Sequence, residues 1–169
     1  MVKSVNVIGR GRVGTAIAAR LEERGVELRA EDAELTLLCV PDTAIRDVAQ
    51  GLSPGPGWIG HVSGATPLSA LDPHQRRFSL HPLQTFTDAR GPEQLDGAWA
   101  AVTAETDEAR GQALELARTL GLEPFELADA DGRSITPVLR WSRPSWSRCT
   151  RRLPRSSRPR ERRRKRLSR

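Results

Sequence analysis

Two kinds of apolar patterning alternate along the first three quarters of the chain. Short, nearly continuous apolar runs read as strands buried on both faces, and stretches with apolar residues every three or four positions read as helices packed by one stripe. Val5 to Ile8 form the first run. A helix follows with Val13, Ile17 and Leu21 on one face, and with Arg20, Glu22, Glu23 and Arg24 placed in solvent, until Gly25 ends it. Val26 to Arg29 predict a second strand and "AELTLLCV" a third, so close together that the helix usually joining such strands is missing or reduced to a turn. A Pro-Asp turn and a short helix come next, then strands at "GWIGHVSG", "RFSLHPLQTF" and "GAWAAVTAE". The helix "TDEARGQALELARTLG" has Thr106 as its cap, Ala109, Ala113, Ala117 and Leu120 inward, and Gly121 closing it before a last strand, "LEPFELA". The predicted fold class is α/β: a Rossmann-like, mostly parallel, doubly wound sheet over residues 1–131.

The first turn carries the clearest chemical signal. Between strand and helix stands Gly9-Arg10-Gly11-Arg12-Val13-Gly14, a G-x-G-x-x-G pattern. Gly9 permits the tight turn, Gly11 lets backbone approach a pyrophosphate, and Gly14 lets helix and strand pack closely. The helix N-terminus then offers unpaired N–H groups and a partial positive charge to phosphates. This context, rather than the glycines alone, predicts dinucleotide binding by residues 9–14.

The choice of cofactor stays open, NADP or NAD. "VELRAED" places Arg29, Glu31 and Asp32 where the ribose would lie. Arg29 suits a 2′-phosphate, and either acid suits a 2′-hydroxyl. Pro41 and Asp42, after the third strand, sit at the carboxyl edge beside the expected cofactor, and Asp42 also has the place of an N-cap for a helix beginning near Thr43.

Two polar clusters fall where apolar strands end: His61, Ser63 and Gly64, and then Ser79, His81 and Gln84. Reduction of a carbonyl or imine needs a donor for the developing oxyanion or amine, which His81 with Ser63 could supply. The alternative for His81 is that it starts a His-Pro turn. His61 and His74 read as structural histidines, His61 through a backbone hydrogen bond. No metal-ligating pattern is present, and Cys39 reads as a small buried hydrophobe.

Charge divides the chain. Residues 1–132 hold 12 Lys and Arg against 20 Asp and Glu, a net −8, whereas residues 133–169 hold 15 basic and 1 acidic residue, a net +14. The acidic body gives no reason to expect nucleic acid. The absence of an N-terminal apolar h-region and of any long apolar run predicts a cytoplasmic protein without membrane contact. Cys39 and Cys149 make no disulfide framework.

"HVSGATPLSAL", "FSLHPLQTF", "LDGAWAAVTAE" and "LGLEPFELADAD", in this order, resemble one Rossmann-like family of the wider 6-phosphogluconate-dehydrogenase-like group, related to pyrroline-5-carboxylate reductase and deazaflavin-dependent NADP reductase. Its members join an NAD(P)-binding domain to a C-terminal helical domain of unknown function. The resemblance covers about residues 3–131 and implies a nicotinamide-dependent reductase or dehydrogenase acting on an unassigned small molecule. By position Gly9, Gly11 and Gly14 match the phosphate loop, and Ser63, Gly64, His81 and Pro82 match the polar edge facing the helical domain. That domain is expected to supply the other half of the pocket and to form a homodimer.

Beyond Asp131 the resemblance breaks. Where the family continues close to L-Y-H-A-G-A-A, with a small-residue helix ending in F-L-V, this chain has "RSITPVLRWSRPSW". Joining the third base of each codon to the first two of the next, with serine as a T-C-N codon, gives Leu, Phe, Ile or Val from Arg133–Ser134. Ser134–Ile135 gives Tyr, His, Asn or Asp, and Trp141–Ser142 is forced to Val. The shifted reading admits "LYHAGAAMVSTFLV". Residues 132–169 are therefore expected to be a disordered basic tail, translated out of frame in place of the helical domain, leaving a chain that binds cofactor without turnover. Two alternatives stand beside this reading: a catalytically silent dinucleotide sensor, and an Arg-rich tail that binds nucleic acid, with Trp141 and Trp146 stacking on bases.

Overall fold

A computed structural model describes residues 2–127. The predicted tail, the domain boundary at 131/132 and Cys149 lie outside the described residues. Seven strands form one sheet: β1 (Ser4–Ile8), β2 (Glu27–Leu28), β3 (Leu35–Leu38), β4 (Trp58–His61), β5 (Arg77–Pro82), β6 (Trp99–Ala104) and β7 (Glu123–Glu126). Three helices accompany them: α1 (Arg12–Glu23), α2 (Ile45–Gln50) and α3 (Asp107–Leu120). The sheet order is β2-β1-β3-β4-β5-β6-β7, with every neighbouring pair parallel except β5 and β6. This is the expected Rossmann-like α/β sheet.

The strands alternate their faces with period two. Val5, Leu35, Leu37, Phe78, Leu80, Ala100 and Val102 share one core with the inward stripes of α1 and α3. Leu38 and Ile59, on the other face, pack with Ile45 and Ala49 of α2 and with a 3₁₀ turn over Leu68–Leu71. Thr106 caps α3 as expected, its hydroxyl accepting from the Ala109 N–H at 3.1 Å, and Gly121 ends the helix with φ +83°.

Three local expectations change. β2 is only Glu27–Leu28, and residues 29–34 form the turn that replaces a helix. Arg20 is buried instead of solvated: its guanidinium donates to Asp96 Oδ1 at 2.7 Å and to the Pro92 carbonyl at 2.8 Å. It ties α1 to the 3₁₀ turn over Pro92–Leu95, and the Asp96 hydrogen bond raises its pKa. Asp42 does not cap a helix from Thr43. It opens a 3₁₀ turn, Asp42–Ala44, ahead of α2, and its side chain makes no capping bond. Among the described residues no helix is long and apolar enough to cross a membrane.

Candidate active site

The chain passes from β1 to β2 on one side and crosses back to β3 on the other, so the crevice at the carboxyl ends of β1 and β3 is the topological switch point. In open α/β sheets ligands bind there. The glycine turn lies in this crevice. Gly9 has φ +113°, and a Cβ on it would collide with the Cys39 carbonyl of the neighbouring strand. A Cβ on Gly14 would collide with the Gly9 carbonyl. These two glycines are required by packing. Gly11 differs, because a Cβ there would meet nothing within 4 Å.

The open space in front of Gly11 leads to the N-terminus of α1. The first amide with an intrahelical acceptor is that of Thr15, bonded to the Gly11 carbonyl at 2.9 Å, so the amides of Arg12, Val13 and Gly14 precede the helical ladder. No side chain caps them and the first turn holds no acid. Arg10 and Arg12 are exposed on either side of Gly11, and Val13 is half-buried behind them. Arg12 Nη1 also donates to the Phe86 carbonyl at 3.3 Å, linking this turn to the loop after β5. Backbone donors, a helix N-terminus and two arginines around an uncrowded glycine fit a pyrophosphate.

Farther out, Arg29 pairs with Glu27 at 2.8 Å, and that bond raises the guanidinium pKa. Glu31 and Asp32 are exposed in the same turn, with Asp32 at φ +52°. Asn6 Nδ2 holds the turn through the Ala30 carbonyl at 2.9 Å.

Along the same carboxyl edge the register places Leu38 beside His61 and His61 beside Ser79. His61 is fully buried. Its Nδ1 accepts the Ser63 N–H at 3.3 Å, which puts the proton of the neutral ring on Nε2, and Nε2 has no hydrogen-bond partner. Burial pushes its pKa down to about 4, against a smaller opposing effect of Asp42. The expected backbone hydrogen bond is present, leaving one ring nitrogen over. His74 is structural, its Nε2 bonded to the Ala49 carbonyl at 2.9 Å.

Ser63 and His81 are brought together through one loop. The Ser63 hydroxyl accepts from the Ala65 and Thr66 amides at 3.2 and 3.1 Å and bonds Thr66 Oγ1 at 2.9 Å. This is a side-chain turn that shapes residues 63–66. His81 lies within β5, which runs on through Pro82, and its Nδ1 donates to the Val62 carbonyl at 2.9 Å. The neutral ring therefore presents Nε2 as an acceptor. Gly64 makes room for it, since a Cβ there would lie 2.7 Å from Nε2.

His81, Asp42, Ser79, Thr66, Thr103 and Phe125 line one cavity of about 520 Å³ over β5, β6 and β7. Thr66, Thr103 and Phe125 were not singled out from sequence. The S-x-x-T spacing of Ser63 and Thr66 could have revealed the turn, whereas the register that brings Thr103 beside Ser79 has no local signature. A second cavity of about 670 Å³, near Glu34, Trp58 and Arg76, takes in Asp32 of the candidate ribose-binding turn but none of the glycine turn, Ser63 or His81. No group of three or more potential metal ligands occurs among the described residues.

No family model matches the chain, and no curated protein does. Solved structures do resemble it. A provisionally named NADP oxidoreductase from Bacteroides fragilis superposes with a TM-score of 0.65 at 20% identity, over 78% of this chain and 62% of that one. Prephenate dehydrogenase from A. aeolicus, solved with hydroxyphenyl propionate and NAD+, gives 0.64 at 13% identity, over 76% of this chain and 60% of that one. A diketoreductase gives 0.59 at 18% identity, over 78% and 66%. These similarities show a Rossmann-like fold. The chain spans about 60% of the length of the first two relatives.

Proposed function

We propose that this chain is the dinucleotide-binding part of an oxidoreductase that uses NADP or NAD on a small molecule. The observation that carries the reading is the uncrowded Gly11 in front of an uncapped, acid-free helix N-terminus at the switch point of the sheet. Residues 9–14 would hold the pyrophosphate, Arg29 the adenosine end, and Pro41 with Asp42 the side of the crevice toward the cavity. When bound, the nicotinamide supplies hydride chemistry.

The chain's own residues then supply a proton site and its support. Val62 holds the His81 ring through Nδ1, so Nε2 takes a proton from an alcohol or amine in the oxidising direction and returns it in the reducing one. Ser63 acts through the turn it closes, keeping Val62 and Gly64 against that ring. Beyond residue 131 we infer an out-of-frame tail in place of a helical, dimer-forming domain that would close the cavity and exclude water. Hydride transfer needs both walls, because donor and acceptor must be held in near-attack geometry. The chain as it stands would bind cofactor in the cytoplasm without turnover.

Fluorescence titration with NADPH and NADH tests the cofactor site. Gly11→Val places a branched side chain in the open space and should abolish binding of both; equal affinity in wild type and variant would remove the assignment. If NADPH binds more tightly, Arg29→Ala should narrow the preference. Resequencing codons 128–138 tests the frame. A frame-corrected chain should dimerise and turn over, and His81→Ala should slow it by about 100-fold or more.

A further inference from the structure

The cavity beside His81 has an uneven inventory of hydrogen-bonding groups. The Ser79 hydroxyl spends its proton on the Ser63 carbonyl at 3.2 Å, leaving lone pairs toward the cavity. His81 spends its Nδ1 proton on Val62, leaving the Nε2 lone pair. Asp42 adds a carboxylate that neither caps a helix nor forms an ion pair among the described residues. The wall thus offers these three acceptors, one of them anionic, beside the hydroxyls of Thr66 and Thr103, each of which can donate as well as accept. No lysine or arginine lines it among the described residues. The remaining wall is largely apolar, with Leu68, Ala101, Phe125 and Leu127.

We propose that this cavity takes a protonated amine with an apolar body: the ammonium toward Asp42, His81 and Ser79, and the hydrocarbon over Ala101 and Phe125. A carboxylate or phosphate at the same place would meet Asp42 with no lysine or arginine among the described lining residues to offset it, so the wall selects by charge. The proposal deepens the oxidoreductase reading by naming the substrate class of the same edge, and it rests on that reading only for the chemistry that follows binding.

Amide NMR titration of the full chain without cofactor, at low ionic strength and neutral pH, tests it with three probes of one shape: 3-phenylpropylammonium, 3-phenylpropanol and 3-phenylpropionate. The ammonium should shift the amides of Gly64, Ala65 and Thr66 and bind about tenfold more tightly than the carboxylate. Asp42→Asn should remove most of that preference while leaving the alcohol's affinity unchanged. Asp42 is exposed, and a matching amide spectrum elsewhere would establish that the variant is folded. A carboxylate that binds as well as the ammonium, a preference that survives Asp42→Asn, or no shift in this loop up to about 10 mM would each overturn the proposal. Gly11→Val should bind the ammonium as wild type does. Loss of the dinucleotide site and loss of the amine site are therefore separate results.

Discussion

Strand β5 carries Phe78 and Leu80 on the face covered by α1 and α3, and Ser79 and His81 on the face toward the open cavity. The same six residues therefore lie in two different environments. On the first face the core runs from β1 to β6 without interruption. On the second, among the described residues, α2 and the turn over Leu68–Leu71 cover β3 and β4, and Trp99 and Leu127 are half exposed beside β7. Period-two alternation lets one strand serve stability and chemistry at once, provided each face keeps to its own residue types.

The most drastic way to test this contrast is to truncate one aromatic ring on each face. Phe78→Ala should cost about 3–5 kcal/mol of unfolding free energy, because Phe78 is fully buried. Phe125→Ala, from the half-covered face, should cost under about 1 kcal/mol. Urea midpoints measure both, and similar losses would erase the distinction.

Acid tests the buried polar part of the second face. His61 is neutral in the folded chain down to about pH 4, whereas an ordinary histidine takes up its proton near 6.5. Between these values the unfolded chain binds more protons, so stability falls as pH falls through the window and levels off below it. The loss is on the order of 3 kcal/mol. It should be read as the difference in urea midpoint between neutral pH and about pH 4.5, and His61→Gln should flatten it. A variant with the same slope would assign the acid sensitivity to other groups.

Within the glycine turn the expected effects are smaller but opposite in kind. Gly14→Ala should cost about 1–3 kcal/mol through its collision with the Gly9 carbonyl. Gly11→Ala should leave stability within about 0.5 kcal/mol and weaken dinucleotide binding alone. Smallest of all is Trp99→Ser on the open face. Its unfolding free energy should stay within about 0.5 kcal/mol of wild type, while sedimentation shows less self-association.

What could be read from residues alone follows from how local each cause is. The strand and helix order, the Thr106 cap, the Gly121 stop and the glycine turn depend on near neighbours, and all stand in the structure. Arg20 was misplaced because its helical position points outward by pattern, while Asp96, far along the chain, supplies the partner that buries it. Asp42 has a capping residue's type and position, but the chain enters α2 through a 3₁₀ turn that needs no cap. His81 was legible as a polar residue at a strand end. Its tautomer was not, since that depends on the Val62 carbonyl of the adjoining strand's loop. Cys39 was expected buried and is half-buried, packed against the first core and close to Gly14.

That cysteine has a use of its own. Burial pushes its thiol up to about 12, so almost none of it is nucleophilic thiolate at neutral pH. Its side chain lies where a Cβ on Gly14 would touch it, between the end of β3 and the first turn of α1. An alkylating reagent therefore meets a half-buried thiol held in its protonated form and should react with it slowly. The rate at which Cys39 is labelled is consequently a probe of the packing between the end of β3 and the glycine turn, and a ligand seated on that turn should change it.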